Sequence, residues 1–476
     1  MQRWADRATL AGLAGAVLLC AALSGTDASF DLRNYHLYNG YAFLHGRLGV
    51  DLAPAQLQTF YVPTLDAFYF VLIHSLNAAP FLLNAVLAIP HAIAVCLAWA
   101  IARLYLPRAP ALLATLIGAT GAALLPTLAT TMSEAPLAAL ELGALLLALR
   151  HPDRGAVPGM LAGVAVGLKL TAAPYGLALM AASGTKRLLR TGAGIMLGAC
   201  VTAGYWWLIL WHRYDNPLFP YFNGLFRSPW IPAERIADLR FMPRGVLQAL
   251  VYPAFWAVRP VTLVAEFPVR DPRIAFGLAA ALILGVRAVR ARQPCPLAVF
   301  FLTALALWEA QFSILRYLAA LELLSGALIV LAFGRLSPVI AVATLALTVY
   351  PHWGRTAGPT VLDVRFPPLP SNTLGVMLDP GPMSYVIPFA PPGSRFVGAN
   401  SILVHPGQTT RLAQQIETTI RTWPGPLWGL EMPEAAPGVA DATLNFYGLH
   451  RANGCRHIQS NLDDSAILAC PLIRAP

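Results

Sequence analysis

The sequence predicts an α-helical polytopic membrane protein with a small α/β domain at its C-terminal end. Hydrophobic residues make up 57% of the 476 residues, and charged residues make up only 12%. The mean hydropathy of +0.59 is too high for a soluble enzyme. The chain is also long enough for about ten transmembrane helices of about 20 residues each. We therefore expect a lipid bilayer to surround most of the protein.

The net charge of +10 comes entirely from the first part of the chain. Residues 1–351 hold 25 Lys and Arg against 15 Asp and Glu, whereas residues 352–476 hold eight of each. Basic residues beside apolar segments are typical of cytoplasmic turns and of contact with anionic lipids. This distribution excludes a soluble nucleic-acid-binding protein. It predicts a transmembrane domain over 1–351 and a separate domain over 352–476.

Apolar runs predict about eleven membrane spans. They lie near residues 8–25, 79–102, 109–127, 133–149, 156–168, 172–184, 189–211, 272–286, 296–312, 316–334 and 337–351. With the N-terminus inside, every predicted cytoplasmic turn is basic, and these turns hold Arg103 and Arg108, Arg150 and Arg154, Lys186, Arg187 and Arg190, Arg287, Arg290 and Arg292, and Arg335. The positive-inside rule then places loops 26–78 and 212–271 and the tail 352–476 in the periplasm, outside a bacterial inner membrane.

Two features of this topology have alternatives. Segments 156–168 and 172–184 are each short for a span, but merging them would break the alternation of basic turns. We therefore predict two short helices that meet at residues 167–174, and helices that break inside a membrane usually line a cavity. The basic start and apolar core before Ser24 also resemble a cleavable signal peptide, whose removal would leave Asp31 near a free end.

The tail has the pattern of a small α/β domain. Strand-like runs cover Ser394 to Val397 and Ala466 to Leu472, and a helical stretch covers Thr409 to Arg421. Cys455 and Cys470 are the only cysteines in it, while the other four lie in or beside apolar spans. A disulfide between them is permitted in the periplasm and would stabilise the domain by about 3 kcal/mol, and two free thiols are the alternative.

Asp31 follows the first span and begins the most informative stretch of the chain. Tyr35, His36, Tyr38 and Asn39 come after it at helical spacing. A single Asp after a span is ordinarily a helix cap or a solvated loop acid. A helix over residues 31–46 would instead present an aromatic, hydrogen-bonding surface at the membrane face. We expect this helix to form the floor of a ligand site.

These residues carry a family resemblance. An Asp just after the first span, then Asp31-x3-Tyr-His36 and Tyr41-Ala-Phe-Leu-His-Gly-Arg47, resembles the GT-C superfamily of integral-membrane glycosyltransferases that use polyprenyl-phosphate sugars. Further features resemble it too: Glu134 as a second acid at the outer start of a span, Gly167-Leu-Lys169 between two short helices, Arg316-Tyr317 at the start of a late helix, and a soluble domain at the end of the chain.

The resemblance implies a GT-C-like fold and an inverting transfer of one sugar from a polyprenyl-phosphate donor to a glycan or glycolipid acceptor. It implies Asp31 as the base that takes the acceptor hydroxyl's proton, and cations that neutralise the departing phosphate. Lys169 and Arg316 are the candidate cations. The alternative for Lys169 is a structural ion pair with Glu134 or Glu309, because an unpaired ammonium between apolar helices is costly.

Departures from the family bear on metal binding. Leu32 follows Asp31 where the family often has a second acid, and the chain contains no Asp-x-Asp. We therefore expect no cofactor and no bound metal, which argues against the metal-dependent oligosaccharyltransferase branch.

The loop after the seventh span is rich in aromatic residues. Its rings belong to Trp206, Trp207, Trp211, Tyr214, Phe219, Tyr221, Phe222 and Trp230. Such residues form membrane-anchoring belts by default. Asn216 and Arg227 interleave polar groups with these rings, which predicts a loop that faces the substrate.

The same region is rich in arginine, which suggests an anionic partner. Its eight arginines are Arg213, Arg227, Arg235, Arg240, Arg244, Arg259, Arg270 and Arg273.

Other classes of chemistry lack their motifs. The chain has no Walker loop, no Cys-x-x-Cys, no His-Glu-x-x-His and no Gly-x-Ser-x-Gly. Two functions of other classes stay open: a transporter or flippase for a lipid-linked glycan, and an inactive scaffold of an envelope glycan complex. Transporters tend to have charged residues near the midplane of the membrane and symmetric halves. In this sequence the polar residues gather at one face and the two halves differ.

Overall fold

The computed structural model describes residues 2–234, 236, 238–434, 436–462 and 467–475. Its helices are α1 (Gln2–Ala22), α2 (Leu37–Leu44), α3 (Thr64–Ser75), α4 (Pro80–Leu87), α5 (Ile89–Ala102), α6 (Arg108–Ala119), α7 (Glu134–Arg150), α8 (Ala156–Leu168), α9 (Ala173–Ser183), α10 (Leu188–Tyr214), α11 (Asn223–Phe226), α12 (Val246–Leu250), α13 (Tyr252–Val258), α14 (Arg273–Ala291), α15 (Pro296–Gln311), α16 (Ala319–Phe333), α17 (Ser337–Leu347), α18 (Arg411–Thr422) and α19 (Val439–Tyr447).

The chain is mostly helical, and a helix lies within each of the predicted apolar segments. Among the residues that the structure describes, five helical stretches are long and apolar enough to cross a membrane: Trp4–Ala22, Pro80–Ala102, Thr185–Tyr214, Arg273–Ala291 and Leu315–Leu347. The described part of the chain also contains shorter apolar helices, over Arg108–Ala119, Ala156–Leu168, Leu170–Ser183 and Pro296–Gln311. Length and composition therefore indicate a membrane protein.

The contacts within the chain define two compact units. The first unit comprises Met1–Ser24, Asn84–Gly204 and Ala237–Trp353. The second unit comprises Gly25–Leu83, Tyr205–Ile236 and Gly354–Pro476. The second unit thus joins the C-terminal segment to the first long loop and to the aromatic loop, which are remote from it in sequence.

In the first unit, helices α8 and α10 approach each other along a seam of glycines. A Cβ atom on Gly159 would lie 2.2 Å from the backbone oxygen of Thr191, and one on Gly163 would lie 2.1 Å from that of Ile195. Gly198 faces back in the same way, because its Cβ would lie 2.1 Å from the oxygen of Met160. Small residues at four-residue spacing let helix backbones pack this closely in a membrane. The seam fixes the position of α8.

The same helix ends where the sequence predicts a break. Lys169 has an extended backbone, with φ −155° and ψ 125°, between the end of α8 and a short 3₁₀ turn over Leu170–Ala172. Helix α9 then begins, with Pro174 in its first turn, where a missing N–H costs nothing. The chain therefore changes direction at Lys169.

The second unit contains a mixed β-sheet and a two-stranded ribbon. The strands are β1 (Thr26–Asp27), β2 (Arg355–Thr356), β3 (Val364–Arg365), β4 (Leu374–Met377), β5 (Arg395–Gly398), β6 (Leu427–Glu431), β7 (Leu449–Arg451), β8 (Arg456–Ser460) and β9 (Ile467–Arg474). The sheet order is β3-β8-β9-β6-β4-β5, with β7 also on β9. Strand β4 is parallel to both β5 and β6, and the ribbon pairs β1 with β2. This confirms a C-terminal sheet domain.

Helix α18 crosses from β5 to β6 and packs on the sheet. Thr410 caps its start by accepting a hydrogen bond from the backbone N–H of Ala413. Leu412, Ile416 and Ile420 recur at four-residue spacing and are buried against the sheet. The predicted helical stretch over 409–421 is therefore confirmed within one or two residues.

The two tail cysteines are bonded to each other. A disulfide joins Cys455 to Cys470, which lies in β9. The predicted strand near residues 394–397 corresponds to β5, and the predicted strand over 466–472 corresponds to β9 from Ile467 onward. Ala466 lies outside the described residues.

Candidate functional site

Three site residues predicted from the sequence meet in the first unit. The ammonium of Lys169 lies 3.2 Å from Glu134 Oε1, and Arg316 Nε lies 3.6 Å from the same oxygen. Lys169 also donates a hydrogen bond of 2.8 Å to the hydroxyl of Ser133. We call Glu134, Lys169 and Arg316 the cation cluster. Its two cations face one carboxylate.

Local backbone structure places each member of the cation cluster. Glu134 is the first residue of α7, where the helix dipole favours a carboxylate. Lys169 occupies the break after α8, and the glycine seam holds that helix. Arg316 lies in a 3₁₀ turn over Leu315–Leu318, directly before α16. Each side chain thus projects from a helix end.

The side chains of this cluster are mostly but not completely enclosed. Glu134 is 1% exposed, Lys169 is 13% exposed and Arg316 is 14% exposed. Both cations lie over the ring of Tyr317, at 5.1 Å for Lys169 and 5.5 Å for Arg316. The ring's negative face stabilises positive charge there. The ion pair of Lys169 with Glu134, which the sequence left as an alternative, is present, and the carboxylate is shared with a second cation.

Asp31 lies in the second unit, at the start of a helical segment. The turn over Leu32–His36 is a π-helix, and α2 continues it. Single π turns of this kind are frequent at functional sites. Asp31 is only 6% exposed, and Tyr35 donates a hydrogen bond of 3.1 Å from its hydroxyl to Asp31 Oδ2. The predicted helix over 31–46 is therefore present, and it brings Tyr35 onto Asp31.

His36 binds a different acid. Its Nδ1 lies 2.6 Å from Asp66 Oδ1, and Asn39 donates to the other Asp66 oxygen at 3.2 Å. All three residues are buried. Asp66 comes from the first turn of α3, so this network fixes the helix after Asp31 against the helix that follows it in the chain.

A second buried acid holds the same helix to the sheet. Asp51 accepts a hydrogen bond from Tyr38 at 3.1 Å and pairs with both Nε and Nη2 of Arg47, at 2.8 Å and 2.6 Å. It also accepts the backbone N–H of Phe396 in β5 at 2.9 Å. Burial and the adjacent carboxylate raise the pKa of Tyr38 well above its ordinary value. Asp51 therefore has a structural role within this unit.

The aromatic loop packs its rings on one another. Trp206, Tyr214 and Phe219 are buried in the core of the second unit, and the rings of Tyr214 and Phe219 stack at 4.6 Å. Tyr61 and Tyr221 also stack, and their hydroxyls lie 2.5 Å apart. These rings serve the core of the unit.

The two predicted polar residues of this loop, Asn216 and Arg227, belong to the second unit. The Asn216 side chain donates to the oxygen of Tyr221 and accepts from the N–H of Leu218, both at 2.9 Å, so it organises its own turn. Arg227 is exposed and has a left-handed backbone with φ 54°. Neither the sequence nor these contacts link the two residues to Asp31.

Several arginines that suggested an anionic partner bind within the chain. Arg240 pairs with Asp238, Arg273 pairs with Asp271, and Arg213 and Arg270 donate to the backbone oxygens of Leu48 and Leu347. Arg235 lies outside the described residues. Arg273 is completely buried, which sequence position alone did not indicate.

The first unit contains a buried polar cluster that was not predicted from the sequence. Glu322 accepts the N–H groups of Ala123 and Leu124, each at 2.8 Å, and Asp271 accepts that of Ala122 at 2.8 Å. A Cβ on Gly121 would lie 1.9 Å from the Glu322 carboxyl carbon, so only glycine fits there. The signal was an acid within an apolar span, which is costly unless it is bound.

The predicted site residues therefore form two separate groups: the cation cluster in the first unit, and Asp31 with its partner Tyr35 in the second unit. Comparison of the chain with protein-family models, curated proteins and solved structures finds no match.

Proposed function

We propose that the protein is a GT-C-like inverting glycosyltransferase of the bacterial inner membrane. It transfers one sugar from a polyprenyl-phosphate donor to a periplasmic glycan or glycolipid. In this proposal about eleven helices span the bilayer, the N-terminus is cytoplasmic, and loops 26–78 and 212–271 face the periplasm together with residues 352–476. The apolar helices and the basic predicted turns support this topology.

The observation that carries the proposal is the cation cluster. Two cations from separate helix ends share one carboxylate oxygen of Glu134 and one aromatic ring, Tyr317. Cations inside a membrane-embedded region are costly and mark substrate paths. A polyprenyl-phosphate donor needs positive charge at the oxygens that become negative when the sugar leaves. Lys169 and Arg316 supply it through charge-assisted hydrogen bonds.

Asp31 is the base of the proposed reaction. Its carboxylate takes the proton of the acceptor hydroxyl while the hydroxyl oxygen bonds to the anomeric carbon of the donor. The bond from that carbon to the phosphate oxygen breaks, and polyprenyl phosphate leaves with the electron pair. One displacement inverts the anomeric configuration. Tyr35 orients the carboxylate through its hydrogen bond to Oδ2.

The proposal needs no bound metal. The chain has no Asp-x-Asp, and the acid after the first span stands alone because Leu32 follows it. Lys169 and Arg316 take the charge-neutralising role that a divalent cation has elsewhere.

The test is transfer by the purified protein in proteoliposomes. A panel of polyprenyl-phosphate sugars with radiolabelled sugar is supplied together with glycan and glycolipid extracts, and labelled acceptor is counted. The proposal expects labelled acceptor with inverted anomeric configuration. Passage of a lipid-linked glycan across the bilayer without transfer would replace the proposal by a transporter. If the protein neither transfers sugar nor moves a lipid-linked glycan with any donor, the remaining candidate is an inactive scaffold of an envelope glycan complex.

A further inference from the structure

The second unit contains a cavity that the proposed reaction has not yet used. Its volume is about 550 Å³, and its lining includes Phe30, Arg33, Arg355, Gly381, Met432 and Asn461. Sites for small ligands typically measure about 300–1,000 Å³. All of its lining residues belong to the second unit. Phe30 and Arg33 flank Asp31 in the chain.

The cavity lies at the carboxyl edge of two adjacent parallel strands. Gly381 follows β4, and Met432 directly follows β6. After β4 the chain continues to β5, which lies beside β4 on the side away from β6. After β6 it continues to β7, which pairs with β9 on the side of β6 away from β4. The loops that follow β4 and β6 therefore run in opposite directions across the sheet. In α/β sheets, a crevice at such a switch of direction is the usual place for a ligand. We call it the switch-point cavity.

A buried acid holds the two loops of the cavity in place. Asp379 accepts the N–H of Gly381 at 2.8 Å on one oxygen and the N–H of Met432 at 2.7 Å on the other. Asp379 is 3% exposed. A Cβ on Gly381 would lie 2.7 Å from the Met432 sulfur, so the loops touch closely there. The two loops at the rim of the cavity are thus held together by these hydrogen bonds.

The lining of the cavity includes two basic side chains, Arg33 and Arg355. Arg33 lies in the π-helical turn after Asp31, and Arg355 lies in β2, opposite Asp27 in the ribbon. Guanidinium groups bind phosphate and carboxylate with two parallel hydrogen bonds. Asn461 is fixed by the backbone N–H of Asp363, which it accepts at 2.7 Å.

One lining ring suits a sugar. Phe30 is 43% exposed, although it is a large apolar residue. A flat ring at a cavity edge can pack against the apolar face of a sugar while the arginines hold a charged substituent. Together the lining combines an apolar surface with a small number of placed charges, as ligand sites do.

We propose that the switch-point cavity binds the acceptor, as a saccharide that carries a phosphate or carboxylate group. The identification of the ligand as the acceptor rests on the proposed function. The class of ligand, a charged saccharide, is inferred from the cavity alone. It assigns Arg33 and Arg355 as residues that bind the charged group, and Phe30 as the ring that packs on the sugar.

Binding measurements on the full-length protein in nanodiscs test the assignment without requiring transfer. The soluble probes are glucose 1-phosphate, glucuronate and glucose, each titrated by calorimetry. A synthetic glycolipid that carries glucosamine 4-phosphate, built into the nanodiscs, tests the lipid-linked source. We expect either charged source to bind, and glucose to bind more weakly by tenfold or more.

Four variants locate the binding. Arg33→Gln and Arg355→Gln should each weaken binding of the charged probe by about tenfold or more, because each removes a charge-assisted contact. Ala436→Phe fills the cavity from a partly exposed lining position and should also weaken it. Arg411→Gln, at an exposed position on α18, is the matched control and should leave it unchanged.

The outcomes separate this inference from the proposed function. Binding that survives Arg33→Gln, Arg355→Gln and Ala436→Phe would overturn the cavity assignment, as would binding that is lost in Lys169→Gln alone. No binding of either charged source would overturn it as well. Binding that follows the cavity variants while the wild type transfers no sugar would support the cavity and refute the glycosyltransferase.

Discussion

Lys169 and Arg316, which lie far apart in the sequence, bind the same oxygen of Glu134 at 3.2 Å and 3.6 Å. Each comes from a turn that interrupts an apolar helical region. A purely structural ion pair would need one cation for one carboxylate. This cluster is a candidate phosphate site because it contains a second cation and because the side chains of Lys169 and Arg316 are partly exposed.

Replacing either cation should weaken donor binding. Lys169→Gln and Arg316→Gln each remove one charge-assisted contact to phosphate, so we expect the donor Kd to rise by about tenfold to a hundredfold. The measurement is binding of a fluorescent polyprenyl-phosphate sugar to the protein in nanodiscs. Lys186→Gln, in an exposed turn, is the control and should bind as the wild type does.

A structural role for the cluster would give a different result. In that case, Lys169→Gln and Arg316→Gln would lower the unfolding temperature while donor affinity stayed at the wild-type value. Unchanged affinity in both variants would therefore assign these residues to structural pairing and remove the phosphate site.

The glycine seam should be intolerant of larger residues. In Gly163→Leu and Gly198→Leu the new side chain meets a backbone oxygen at about 2.1 Å, so α8 and α10 must separate. Overpacking typically costs about 1–3 kcal/mol, and here the backbone has to move. Thermal unfolding in detergent measures the loss. Gly15→Leu on α1, where nothing lies within 4 Å, is the control, and equal stability of all three variants would refute the seam.

Several features of the fold could be predicted from the sequence because they depend on local patterns. Apolar runs located the helices, and the break at Lys169 followed from two short runs with a polar residue between them. Pairing of Lys169 with Glu134 was one alternative, because an unpaired ammonium between apolar helices in a bilayer is costly. The disulfide between Cys455 and Cys470 was one of the two states that the sequence allowed, because the tail has no other cysteine.

Other features could not be predicted because they depend on contacts between remote segments. The second unit combines residues 25–83, 205–236 and 354–476, and no pattern along the chain indicates that grouping. Asn216 bonds to its own turn rather than projecting from it, and Arg273 is buried on Asp271. The switch-point cavity required the strand order, which places β6 beside β4.

The stability of the second unit should depend on the ionisation of Asp379. Burial raises the pKa of this carboxyl, although the N–H groups of Met432 and Gly381 act in the opposite direction. The folded protein then holds this proton to a higher pH than the unfolded chain, where the pKa is about 3.9. Its contribution is fully present below that value and is lost as pH rises through the folded pKa.

A neutral variant tests this pH dependence. Asp379→Asn carries no ionisable group there, so the wild type should lose unfolding temperature relative to the variant as pH rises from about 4, until the carboxyl is ionised. Unfolding temperatures of both proteins between pH 4 and pH 8 in one detergent give the difference. A wild type that instead gains relative stability over this range would mean that the two N–H groups lower the pKa.

The proposed topology predicts the location of two reporters. Alkaline phosphatase fused after Pro351 should be active because it reaches the periplasm, whereas the same enzyme fused after Arg187 should be inactive in the cytoplasm. Green fluorescent protein at both positions should give the reciprocal result. Activity of the phosphatase fusion at Arg187, or its absence at Pro351, would contradict the proposed arrangement of spans.

The most direct test of the account is the rate of sugar transfer by Asp31→Asn. The variant keeps the size of the side chain and its contact with Tyr35 but removes the base, and loss of a general base typically lowers a rate by about 10² to 10⁴. Single-turnover transfer is measured beside donor binding, with the exposed Asp215→Asn as the control. The account predicts wild-type donor affinity with transfer slowed by about that factor. Transfer by Asp31→Asn at a rate near that of the wild type would contradict it.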